Sequence, residues 1–142
     1  MRSIPALELA DCRRIMAAAE AMAIQHHAKV SVCICDGGGH QIQMVRLDGA
    51  SPSSVSVAAA KARMAALSSK PTADLEAAIN GSRPALLQLA GVFQEKAVAM
   101  GGGLPLIVNG TCIGAIGVSG VTPDLDAAIA AAALSALPNP QF

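Results

Sequence analysis

The sequence predicts an α+β domain: one antiparallel sheet built from two β-hairpins, flanked by helices. Three observations point there. Residues 29–48 and 106–119 each read as strand, turn, strand, around Gly37-Gly38-Gly39 and around Asn109-Gly110. Alanine-rich stretches with apolar residues at steps of three and four lie before, between and after these hairpins. No linker-like composition shift interrupts the 142 residues, so 1–142 reads as a single domain.

The first segment is an amphipathic helix starting near Pro5 and ending near His26 and His27. Leu9, Cys12, Met16, Ala19 and Ala23 form its apolar stripe, and Glu8, Asp11, Arg13 and Glu20 its polar side. Residues 29–36 then alternate, with Val30, Val32 and Ile34 on one face and Ser31, Cys33 and Cys35 on the other. The three glycines permit a tight turn, and residues 40–48 return as the partner strand. Ser51-Pro52-Ser53-Ser54 starts a helix through Val55, Ala58, Ala62, Ala65 and Ala66, which Pro71 stops. Thr72 is placed to cap a short helix through Ile79, ended by Asn80-Gly81, and residues 84–91 read as a further helical turn or two. Residues 93–100 are ambiguous between helix, loop and short strand.

Gly101-Gly102-Gly103-Leu104-Pro105 is the sharpest breaker, and a strand is expected only after it, over 106–108. Asn109-Gly110 is a type I′ turn, and 111–119 is the partner strand, where Gly114 and Gly117 suggest a bulge or a close backbone approach. Thr122-Pro123 opens the last helix, with Asp124 and Asp126 near its positive end, and the helix runs to about Leu137 before Pro138.

Composition excludes several function classes. Ten Lys+Arg balance ten Asp+Glu, so the basic footprint of a nucleic-acid binder is missing. Only two aromatic residues, both Phe, leave nothing from which to build base-stacking platforms or aromatic cages. Hydrophobic residues at 53% argue against disorder. The apolar runs are too short or too interrupted for roughly 20 spanning residues, and the N-terminus lacks a signal peptide, so a cytoplasmic protein with no membrane partner is expected. Small alanine-rich helices cover little area, so part of the apolar surface is expected to be covered by further copies of the chain. Cys33 and Cys35 share a strand face and could hold a soft metal. Without a Cys-x-x-Cys spacing, all four cysteines read more simply as small buried apolar residues.

The block Gly101-Gly102-Gly103-Leu104-Pro105-Leu106, then Asn109-Gly110, then Ile113-Gly114-Ala115-Ile116-Gly117-Val118-Ser119-Gly120, resembles the GlcG/HbpS family of haem-degrading or haem-binding domains. It is similar also to the C-terminal domain of some corrinoid adenosyltransferases. Asp36-Gly37-Gly38, Arg46-Leu47-Asp48-Gly49-Ala50 and Ala60-Lys61-Ala62 match the same pattern in order, so the resemblance covers nearly the whole chain. It implies a profilin- or PAS-like fold and symmetric homo-oligomers: dimers, tetramers or octamers. Its functions are not uniform. Some members bind or degrade haem, others sit in organic-acid pathways, and some resemble small isomerases.

Several residues are candidates for a site. Arg46 has a planar fork that matches a carboxylate, and Asp48 is placed to orient it or to act as a base; together they also fit a plain ion pair at a strand end. Ile42, Met44, Arg46 and Asp48 are expected on one strand face. Lys61, among alanines, reads as a proton-transfer or anion-binding group, or as a surface lysine with its stem laid down. Gly101, Gly102 and Gly103 offer backbone N–H groups for an anion, with Pro105 directing the strand that follows. His26, His27 and His40 are the only histidines and hence weak candidates for a haem ligand; with no Tyr, tyrosinate ligation is impossible.

Three functions remain open on these residues. The first is binding of haem, the one cofactor implied, or of a small carboxylate in a pocket near Arg46 and the glycine run. The second is a tautomerase or isomerase on an unsaturated keto or hydroxy (di)carboxylic acid, with Arg46 as clamp, Lys61 or Asp48 as acid/base, and the glycine amides at the enolate. The third is an accessory subunit without chemistry.

Overall fold

The computed structural model describes residues 1–94 and 96–138. Helix α1 (Leu9–Gln25) is followed by β1 (Ser31–Asp36) and β2 (Gln41–Arg46), then α2 (Ser53–Ser68) and α3 (Thr72–Ile79). A 3₁₀ helix (Pro84–Gln88) leads into one turn of helix, α4 (Leu89–Val92); β3 (Gly103–Val108), β4 (Thr111–Ser119) and α5 (Pro123–Leu134) complete the chain. The strands form one antiparallel sheet in the order β2-β1-β4-β3, so the two hairpins meet through their β1 and β4 strands. The predicted fold class is the observed one.

Alternation in β1 sorts the core into two layers. Val30, Val32 and Ile34 join Ile116 and Val118 under α1 and α5, with Ile15, Ala19, Ile129 and Ala133 packed against them. Cys33, Cys35 and Ala115 face the other way, against Ala58, Ala62 and Ala65 of α2. Small residues on both sides of that second layer draw α2 close to the sheet. A Cβ on Gly117 would collide with the backbone of Ala58 and Ala62, so the glycine in β4 is a contact surface for the helix.

Where the elements depart from sequence expectation, local chemistry explains the shift. Helix α1 starts at Leu9 because Glu8 is extended and the Asp11 carboxylate accepts its N–H at 3.0 Å. Strand β3 begins at Gly103, three residues earlier than expected. Pro105 is tolerated inside it because β3 is an edge strand. Thr72 begins α3 but does not cap it; its Oγ1 accepts the N–H of Gly103 at 2.8 Å instead. Thr122 does cap α5, accepting the Leu125 N–H at 3.3 Å, though the helix ends at Leu134. The Asn109-Gly110 turn has φ of 49° and 75°, as a type I′ turn requires. Residues 93–94 and 96–100 form neither helix nor strand; Glu95 lies outside the described residues.

Each hairpin carries one register shift. In the first it falls between Ile34 and Cys35 of β1, opposite Gln43 and Gln41. Residue 42 is therefore the extra one, and Ile42 packs with the α1 layer while Met44 packs with the α2 layer. The single face expected for Ile42, Met44, Arg46 and Asp48 is thus broken by a bulge.

Candidate functional site

Of the residues singled out from the sequence, Lys61 and the glycine run meet, while Arg46 and Asp48 do not join them within one protomer. Arg46 is exposed at the end of the outer strand β2, opposite Ser31, which in turn pairs with Ser119. The glycine run lies at the start of β3, on the far edge of the sheet. Three strand-to-strand steps separate the two, about 14 Å at ~4.8 Å per step. Asp48 is exposed beyond the strand. Among the described residues the only ion pairs are His40–Asp36 and Lys61–Asp126, so Arg46 and Asp48 are not joined.

The glycine run is built into the fold. The Gly101 N–H donates to Glu76 Oε2 at 3.1 Å and the Gly103 N–H to Thr72 Oγ1 at 2.8 Å. Two of the three amides read as an anion nest are therefore spent inside the chain. The Gly102 carbonyl accepts from the Val118 N–H at 2.9 Å. With φ of +125°, and with Val118 O, Lys61 Nζ and Asp126 Cβ crowding the place a side chain would occupy, position 102 admits only glycine. Pro105 is buried within β3.

Lys61 is equally committed. It is 2% exposed, and its Nζ donates to Asp126 Oδ2 at 3.0 Å and to Val118 O at 2.9 Å. Asp126 Oδ1 accepts the Val121 N–H at 3.3 Å. One buried pair thus ties α2 to β4 and to the first turn of α5, directly behind Gly102. The surface-lysine reading is overturned: the alanines around Lys61 belong to a helix face pressed on the sheet.

The histidines all lie on the surface. His26 and His27 are exposed just after α1. The His40 ring is 78% exposed and sits 3.3 Å from Asp36 Oδ1, which also accepts the N–H groups of Gly38 and His40. No group of three His, Cys, Asp or Glu side chains suited to a metal ion occurs among the described residues. Burial pushes the Cys33 thiol up to about 12 and raises Cys35 further, with Cys33, Asp36 and Cys112 adding to the effect there. Both remain neutral thiols and serve as small apolar residues in the second layer.

A cavity of ligand size lies elsewhere. A groove of about 690 Å³ opens between the outer side of α2, the first hairpin and the segment after Glu95. That volume falls in the roughly 300–1,000 Å³ range of small-molecule sites. Cys33, Val57, Ala59, Ala60 and Val98 make its wall mostly apolar, and Gln41 and Ser56 add uncharged polar groups. Two cations border it, Arg63 and Lys96, neither of them paired with a carboxylate among the described residues. Arg63 lies against Gly39, where a Cβ would meet its side chain at about 3.0 Å, and its Nε donates to Phe93 O at 3.4 Å. That bond leaves the terminal nitrogens of its fork for a ligand. Sequence reasoning missed both cations. The signal for Arg63 was its spacing: Ser56, Ala59, Ala60 and Arg63 follow steps of three and four on the helix face opposite Ala58, Ala62 and Ala65. Lys96 follows no periodic pattern.

Known proteins match this architecture over most of its length. The solved complex of PduOC with haem superposes with a TM-score of 0.87 at 31% identity, covering 96% of this chain and 98% of that one. A double mutant of HbpS from Streptomyces reticuli gives 0.87 at 28% identity, covering 98% and 92%. Protein GlcG of Escherichia coli K12 is 36% identical over 105 residues, 74% of this chain and 75% of GlcG. The family model described as haem degrading protein HbpS-like matches residues 7–135. The chain belongs to that HbpS-like family.

Proposed function

We propose that this protein binds haem or a close tetrapyrrole relative in the groove bordered by Arg63 and Lys96. One observation carries the reading: an apolar groove of ligand size with two cations at its border, in a chain of a haem-associated family. A porphyrin presents a flat apolar ring and two carboxylates. The apolar wall covers the ring, and the Arg63 fork receives a carboxylate bidentately. Titration with hemin, followed at the Soret band, tests it. A saturable shift is expected in the wild type, weakened at least tenfold in Arg63→Glu/Lys96→Glu. Saturation unchanged by that double substitution moves the site elsewhere.

Support for a proton-transfer enzyme is thin. Its clamp, base and enolate donors would be Arg46, Lys61 and the glycine amides, which lie apart or are already bonded. Self-association rests on a different feature. Ile24, Leu87 and Val92 are 69%, 67% and 72% exposed, and no residue from Pro84 to Val92 is buried. Large apolar side chains in that state fit a surface covered by a second copy.

A further inference from the structure

We infer that the groove recognises its tetrapyrrole by the ring and the carboxylates, with no bond from the protein to a central metal. This rests on the binding reading above and concerns how the same site selects its ligand. The wall carries no histidine, methionine or tyrosine. The three histidines of the chain are exposed and absent from the groove wall, and His40, the nearest in sequence to the groove residues Gly39 and Gln41, is engaged with Asp36. The one soft donor in the wall is Cys33, 1% exposed and part of the layer packed under α2. Its burial in apolar surroundings favours the neutral thiol, whereas a metal would need the thiolate. The features left for recognition are a flat apolar surface and two positive groups on its border. Neither senses whether a metal sits at the ring centre. A metal-free porphyrin carries the same ring area and the same two carboxylates, so it fits the groove as well as haem does.

Parallel titrations of the full chain with hemin and with metal-free protoporphyrin IX decide the point, read by Soret absorbance and by porphyrin fluorescence respectively. The expected result is dissociation constants within about threefold of each other. Both should be weakened at least tenfold by Arg63→Glu/Lys96→Glu, and both left unchanged by Cys33→Ala and by replacing all three histidines with Gln. Because the histidines and the two cations are not in the buried core, circular dichroism of those variants should match the wild type. Hemin binding at least tenfold tighter than the metal-free ring, with a six-coordinate spectrum abolished by a histidine or Cys33 substitution, overturns this inference and leaves haem binding standing. Saturation by neither ring overturns the binding reading and this one with it.

Discussion

Lys61 and Arg63 are two residues apart on one helix, yet they have opposite fates. Lys61 points into the fold and closes a buried pair with Asp126 at 3.0 Å; Arg63 borders the open groove. Removing one partner of a buried pair strands the other's charge, which typically costs about 3–5 kcal/mol. Lys61→Ala should therefore lower the urea midpoint sharply, whereas Lys61→Met/Asp126→Leu, which removes both charges, should recover much of the loss. Arg63→Ala should leave the midpoint nearly unchanged. The cysteines add a pH dependence with a definite sign. Cys33 ionises at about 12 in the folded chain, against 9.0 for an ordinary thiol. Between those values the unfolded chain has lost a proton that the folded chain keeps, so stability is whole below about pH 9 and falls as pH rises toward 12. Cys33→Ala should flatten part of that fall in urea titrations from pH 7 to 11. In the native protein a thiol reagent should label Cys112 first, since Cys12, Cys33 and Cys35 are buried.

At the scale of elements, the contact between α2 and the sheet decides most of the geometry. The helix lies on Gly103 and Gly117 so closely that a Cβ at either position would meet helix backbone. Gly117→Ala would push α2 off the sheet. Overpacking of this kind costs about 1–3 kcal/mol, and here the clash is with backbone that cannot rotate away. A fall in thermal midpoint should accompany weaker hemin binding, because the outer side of α2 forms the groove wall. Much of this level was legible beforehand. The two hairpins, the type I′ turn, the two faces of β1 and the proline-opened last helix all follow from patterns within a few residues. The first-hairpin bulge was not, because the alternation of Ile42, Met44 and Arg46 looks unbroken and only pairing with β1 reveals the extra residue.

At the scale of the whole molecule, no helix among the described residues is long and apolar enough to cross a membrane. Leu87 and Val92 stand exposed, and the cover proposed for them is a second copy of the chain. Sedimentation velocity on the wild type should find an oligomer, and Leu87→Glu/Val92→Glu should shift it to smaller species with unchanged circular dichroism. A wild type that sediments as a monomer at tens of micromolar removes the assembly reading.

The amino-acid order by itself determined the α+β class, the two faces of β1, the turn chemistry and the family, because periodicity, turn residues and a glycine-rich block are local properties of the chain. Only the tertiary structure decided which charged groups meet. Arg46 and the glycine run look like partners in one dimension, yet two strands intervene; Lys61 and Asp126 are 65 residues apart, yet the Lys61 ammonium donates a hydrogen bond to the Asp126 carboxylate. Charge pairing depends on distances across strand order and helix packing, and no pattern of neighbours along the chain encodes those distances.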